Sequence, residues 1–239
     1  MSPQKSTVTQ IRERFDNDVE RFANLQTGQS STVDAPLMLE LLTSAAAGTN
    51  PDASHFLDVG CGAGNYSLKL LQKMPNRDVT LIDLSQAMLT RAHERVRAVT
   101  NGRIQTTQTD IREAKLGEAQ FDIIIAAAVL HHLRTDAEWE AVFSLFYRAL
   151  KPGGSLWISD LITHTAVPIQ HMMSEKYGNY LVSLKDEAYR DHVFAYIAQE
   201  DTPRPLLFQV DLLHQVGFVQ ADVLHKNSLF AAFGALKPN

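Results

Sequence analysis

The stretch Phe56-Leu57-Asp58-Val59-Gly60-Cys61-Gly62-Ala63-Gly64-Asn65 constrains this chain more than any other. An apolar run ends in three glycines at alternate positions and then passes into helical periodicity, so a strand, a tight turn and a helix follow one another. Three glycines in this register let the backbone turn sharply and approach a ligand without side-chain obstruction. A dinucleotide fingerprint, G-x-G-x-x-G, does not fit, because its last glycine would fall on Asn65. Asp58 lies just inside the strand. Asp83 closes the next apolar run, where a carboxylate can accept both hydroxyls of a ribose. The pattern asks for an adenosine-bearing ligand without a pyrophosphate.

From residue 56 onward, short apolar runs alternate with helical patterns, the signature of βαβ units and a parallel sheet covered on both faces. Strands are expected at 56–59, 79–82, 104–109, 121–126 and 155–161. Helices are expected at about 65–74, after an N-cap at Ser85, and from the capping box Thr135-Asp136-Ala137-Glu138 to about Leu150. Before this rhythm, 8–22 and 36–47 read as two cap helices, the second with Asp34 as its cap and Pro36 in its first turn. After it, 162–205 is helical and aromatic with no strand run, and is expected to form a lid insertion between strands five and six. Residues 206–216 form a last helix, and the runs 218–224 and 228–236 are close enough to pair as an antiparallel hairpin. The expected fold is α/β, Rossmann-like: a seven-stranded, mostly parallel sheet in a single domain spanning 1–239, with cap helices in 1–48.

Composition narrows the function classes. With a formal net charge of -5 and dispersed Lys and Arg, there is no basic stripe to track a phosphate backbone. No segment reaches the roughly twenty apolar residues a membrane span needs, and the first twenty residues lack a secretory apolar core. Cys61 is the lone cysteine, and none of the nine histidines falls in a ligand spacing such as H-E-x-x-H. The expectation is a cytoplasmic protein with no metal, no membrane partner and no nucleic acid, acting on a small molecule, alone or as a homodimer.

The order and spacing of these elements resemble the class I S-adenosylmethionine-dependent methyltransferases. The resemblance covers residues 56–161: the D-x-G-x-G-x-G loop, the acidic end of strand two, Asp110-Ile111 after strand three, Phe121-Asp122 opening strand four, and Leu150-Lys151-Pro152-Gly153-Gly154. It implies S-adenosyl-L-methionine as cofactor. Gly60, Gly62 and Gly64 would then lie under its methionine part, with Asp58 beside them, and Asp83 on the ribose. Leu84 and Met88 would flank the adenine, Asp110 and Ile111 would meet its edge, and Ala126 would close the site at the end of strand four.

The segment Leu130-His131-His132-Leu133 follows strand four, at the sheet edge where α/β folds bind ligands. A histidine there can take a proton from an acceptor hydroxyl or amine, since its ordinary pKa is near neutrality. His131 is the expected base, and Asp160, at the end of strand five, the group that orients it. Tyr177, Tyr180, Phe194 and Tyr196 are candidates to line the acceptor pocket, whereas His164, His171 and His192 read as solvated. The implied activity is methyl transfer to an oxygen or nitrogen of a small molecule. Arg14-Phe15-Asp16 and Gly217-Phe218 also resemble the carboxy-S-adenosylmethionine synthase branch, but Leu212 stands where that branch carries the arginine for the extra carboxylate. A synthase-like or tRNA-modifying enzyme, or a non-catalytic S-adenosylmethionine-binding regulatory or assembly protein, are the alternatives.

Overall fold

The structure, a computed structural model, describes residues 5–24 and 29–239. Seven strands join in one sheet: β1 (His55–Val59), β2 (Asp78–Asp83), β3 (Ile104–Gln108), β4 (Phe121–Ala127), β5 (Leu150–Leu161), β6 (Val219–Asn227) and β7 (Phe230–Leu236). Their order is β3-β2-β1-β4-β5-β7-β6. The first five run parallel, and β7 is antiparallel to both its neighbours, β5 and β6. The hairpin turns at Ser228 and Leu229, with Ser228 at φ 55, and is tighter than the sequence spacing suggested. The sheet reverses its winding between β1 and β4, and a crevice opens at the carboxyl ends of the strands at such a switch point.

Helices cover both faces. On one side, α3 (Ala35–Thr49), α4 (Asn65–Lys73) and α5 (Gln86–Arg97) bury Leu39, Leu42, Leu70 and Leu89 with Phe56, Leu81 and Trp157 of the strands. On the other, α6 (Asp136–Ala149) and α9 (Leu206–Val216) bury Trp139, Phe143, Phe146 and Leu213 against Leu57, Ile124 and Ile158. Strands buried on both faces need unbroken apolar runs, and β4 supplies Ile123-Ile124-Ile125-Ala126 with no measurable exposure.

The caps follow local chemistry, with one exception. Ser85 accepts from Met88 N at 3.0 Å, and Thr135 and Glu138 close the reciprocal capping box of α6. Asp34 does stand before α3 but caps nothing: it adopts φ 57, and its carboxylate accepts from Asn227 Nδ2 at 2.7 Å and pairs with His225 Nε2 at 2.9 Å. Two cross-chain donors on β6 outcompete the helix for it.

Two short helices, α1 (Val8–Asn17) and α2 (Val19–Ala23), lie against α5, and α7 (Val167–Leu184) and α8 (Glu187–Glu200) make up the insertion after β5. The insertion has its own core. Tyr177 and Leu181 pack with Leu161, Phe230 and Met38, and the Tyr177 hydroxyl donates to Ser31 O at 2.9 Å. No helix among the described residues is long and apolar enough to cross a membrane.

Candidate active site

A cavity of about 600 Å³ opens at the carboxyl ends of β1, β2, β4 and β5. Its floor is the glycine loop. Gly60 has φ 61, and a Cβ there would come within 2.7 Å of Val129 Cγ2, so this position needs glycine both for conformation and for the approach of the β4 turn. Gly62 has φ 50, and its missing Cβ would meet no atom of the described residues within 4 Å. A methyl group there would take up space over the loop that a ligand can otherwise use. The loop is held from the neighbouring strand: Asp83 Oδ2 accepts from Gly62 N at 2.8 Å, and Oδ1 accepts from Ser85 N at 2.8 Å. Asp83 therefore shapes the loop as well as lining the cavity. Burial pushes its carboxyl up to about 6 against these backbone donors.

Asp58, below the loop, accepts from Ser67 Oγ at 2.6 Å and Ser67 N at 3.2 Å. Burial raises it to about 7, with Asp83 adding a smaller push in the same direction. Cys61 is buried, and burial carries its thiol well above its ordinary value, so it is not a reactive thiolate.

Of the expected cofactor residues, Asp58, Gly60, Gly62, Asp83, Leu84 and Met88 line this cavity. Gly64 lies just behind it as the residue preceding α4, at φ 82. Asp110 and Ile111 line a small adjoining cavity of about 40 Å³ that shares Gly60, Asp83, Leu84 and Val129 with the large one. Asp110 is already engaged there: Arg112 donates to both its oxygens, and its carboxyl sits below the usual range because Arg112 outweighs burial. Ala126 is not part of the wall. It is fully buried in the core with Trp139 and Phe143, and Ala127 and Ala128 line the cavity instead. Successive residues of a strand face opposite ways, and β4 runs one residue beyond the expected 121–126.

The two histidines sit on a single 3₁₀ turn, Leu130–His132. Asp160, fully buried at the end of β5, pins that turn by accepting from Leu130 N at 2.7 Å and Val129 N at 3.3 Å, and its Oδ1 pairs with His131 Nδ1. The expected imidazole–carboxylate pair is thus formed. A second carboxylate stands on the other side, where Asp201, from the end of α8, brings Oδ1 to 3.7 Å from His131 Nε2 and 3.3 Å from His132 Nδ1. Burial would lower the His131 pKa, but Asp160 and Asp201 outweigh it and raise it to about 9. His132 goes the other way: burial, then the charge of its neighbour, holds it well below the usual imidazole range.

The roof was only partly foreseen. Tyr177 and Tyr196 line the cavity, as do Tyr189, Val193, Ile197 and the exposed His192. Tyr180 and Phe194 do not. Tyr180 donates to Ser30 O, and Phe194 packs edge-on against Tyr177 at 5.6 Å. Arg14 and Phe15 of α1, Phe22 of α2 and Asp18 between the two helices close the remaining side. Arg14 pairs with Glu200 at 2.9 Å and lies over the Tyr196 ring at 5.1 Å, its Nη1 buried with no hydrogen-bond partner among the described residues, and Phe15 meets the His132 ring edge-on at 6.1 Å. Leu212, in contrast, is buried in the core among the helices of the opposite layer and does not reach the cavity.

The family model described as a methyltransferase domain matches residues 56–154. YqeM of Bacillus subtilis (strain 168), which carries a methyltransferase name, is 36% identical over 107 residues, covering 44% of this chain and 42% of its own length. The chain therefore spans under half of that relative. A carboxy-S-adenosyl-L-methionine synthase of Shewanella amazonensis (strain ATCC BAA-1098 / SB2B) is 26% identical over 196 residues, 77% of this chain and 76% of the synthase. Among solved structures, the magnesium protoporphyrin IX methyltransferase of Synechocystis PCC 6803, with SAH bound, has a TM-score of 0.64 at 17% identity, covering 97% of this chain and 100% of that one. At that identity the likeness establishes the fold.

Proposed function

We propose that this chain, whose residues 56–154 match a family model described as a methyltransferase domain, is a class I S-adenosylmethionine-dependent enzyme that transfers a methyl group to an oxygen or nitrogen of a small-molecule acceptor, with His131 receiving the acceptor's proton. One observation carries the reading: His131, backed by Asp160, lines the same cavity as the glycine loop and Asp83.

The residues fit S-adenosylmethionine. Among the described residues, Gly62 leaves open space over the loop, Asp83 keeps an acceptor carboxylate at the cavity wall, and the Arg14 Nη1, which makes no hydrogen bond there, suits an amino-acid carboxylate. The cofactor supplies a methyl group already activated on a sulfonium, so most of the protein's contribution is alignment, worth roughly 7–11 kcal/mol when both partners are well oriented. Leu84 and Met88 provide the apolar wall on the adenine side. Tyr177, Tyr189, Tyr196, Leu161 and Phe230 face the acceptor side and favour a largely apolar, planar body. Asp160 holds the imidazole through Nδ1 and leaves Nε2 toward the cavity. The raised pKa means that His131 rests protonated at neutral pH. It takes the acceptor's proton only after giving its own to water, and a cationic cofactor brought beside it lowers its proton affinity and favours that loss.

The test is product formation. Incubation with S-adenosylmethionine and a panel of hydroxylated and aminated metabolites should release S-adenosylhomocysteine with at least one acceptor. Tight cofactor binding with no product from any acceptor would instead mark a regulatory or assembly protein.

A further inference from the structure

We propose that His131 Nε2, His132 Nδ1 and Asp201 Oδ1 form a binding site for a divalent transition-metal ion of the zinc type, open toward the acceptor cavity. The three atoms lie within 4.8 Å of one another. Asp201 is 3.3 Å from His132 Nδ1 and 3.7 Å from His131 Nε2. Bonds of about 2.0–2.1 Å in a tetrahedron put neighbouring ligand atoms roughly 3.3–3.4 Å apart, close to the two separations from Asp201, and an ion would draw the two imidazole nitrogens, within 4.8 Å of each other here, together.

Unused bonding capacity points the same way. Among the described residues, His132 Nδ1 and Asp201 Oδ1 are both buried with no hydrogen-bond partner, although they are near each other; the Asp201 side chain is only 4% exposed. A buried carboxylate oxygen without a donor is costly, and a cation between the three groups removes that cost. The rest of the shell is built as metal sites usually are. The far nitrogen of His131, Nδ1, is held by the buried Asp160 carboxylate, which fixes the ring and its tautomer. Thr202 N donates to His131 O at 2.7 Å, tying the Asp201 segment to the histidine turn. All three ligands line the cavity. Three protein ligands with an open position is the arrangement of catalytic rather than structural zinc. Two imidazoles and one carboxylate disfavour magnesium and calcium, which prefer all-oxygen shells.

The chemical role of the ion rests on the methyl-transfer reading above; its binding does not. An acceptor hydroxyl on the open position loses its proton to water more readily. Its oxygen lone pair then forms the new bond to the methyl carbon, and the electrons of the broken carbon–sulfur bond stay on sulfur. In the loaded protein His131 is a ligand and the proton no longer passes to it.

The experiment uses the full chain freed of metal by chelator dialysis. Zn²⁺ is titrated in competition with a chromophoric chelator, and Co²⁺ is followed by its visible d–d bands and by the paramagnetically shifted imidazole N–H resonances of bound histidines. One ion per chain is expected, with two shifted imidazole signals. Affinity should fall at least a hundredfold in Asp201→Asn and in His132→Gln, and about 10–100-fold in Asp160→Asn through the outer shell, each with S-adenosylhomocysteine binding measured alongside as a check on folding. Failure to bind either ion stoichiometrically, or binding that survives both Asp201→Asn and His132→Gln, would overturn the site. Should a variant not fold, the parent decides alone, because a Co²⁺ complex without two histidine signals refutes it. If methyl transfer is absent but the ion binds as described, the site stands and the activity reading fails.

Discussion

Gly62→Ala and Gly60→Ala separate the two jobs of the glycine loop. Both positions have left-handed backbone, at φ 50 and φ 61, where an L side chain costs roughly 1–2 kcal/mol. Alanine at 62 meets none of the described residues within 4 Å, so strain is the folding cost expected there. In a chain of this size about 1 kcal/mol moves the melting temperature by about 2–4 °C, and the loss expected for Gly62→Ala is of that order. Alanine at 60 adds a collision with Val129 at 2.7 and 2.8 Å. Overpacking of this kind costs typically 1–3 kcal/mol, bringing the total to about 2–5 kcal/mol. Val129 precedes the turn carrying both histidines and bonds to Asp160 at 3.3 Å, so the same collision displaces His131. Differential scanning fluorimetry without ligand reads the folding costs, and calorimetry with S-adenosylhomocysteine reads the loop. Gly62→Ala should lose at least tenfold in affinity, about 1.4 kcal/mol, with only a small fall in melting temperature. A Gly62→Ala protein that binds S-adenosylhomocysteine as tightly as its parent would remove the loop from the cofactor site.

Three further outcomes are expected. In metal-free protein, His131→Ala should keep S-adenosylhomocysteine affinity while turnover drops by about two to four orders of magnitude, the range for losing a general base; turnover within about threefold of the parent would show that positioning alone suffices. Asp58 is raised by burial from 3.8 to about 7, so its contribution to stability is fully present below the unfolded pKa and is lost as pH rises through 7. Asp58→Asn removes that loss, and urea unfolding should find the variant gaining on the parent by on the order of 2–3 kcal/mol between about pH 5 and about pH 8; a pH-independent difference would contradict the assignment. Limited proteolysis should cut first near Lys185 and Asp186, between the exposed ends of α7 and α8, and S-adenosylmethionine should slow it. First cleavage within 56–126 would refute the lid.

Local sequence carried the order of elements because strands buried on both faces demand unbroken apolar runs, and caps demand particular side chains at particular places. Ser85 and Thr135–Glu138 therefore appear where their types predict, and the glycine loop and Asp83 stand at the ends of β1 and β2, as their apolar runs predict. The pairing of His131 with Asp160 was also legible, since both stand at the carboxyl ends of adjacent strands whose register the sheet imposes. What the tertiary structure alone decided involves partners far apart in the chain. Asp34 reads as a cap by type, but two donors on β6 claim its carboxylate. Ala126 and Ala127 differ only in which way the pleat turns them. Arg14 and Phe15 become cavity walls because α1 packs against α5, on which no local pattern reports. Asp201 shows this most clearly: it follows His131 by most of the lid, in no recognisable ligand spacing, and meets the two histidines only because the end of α8 folds back onto their turn.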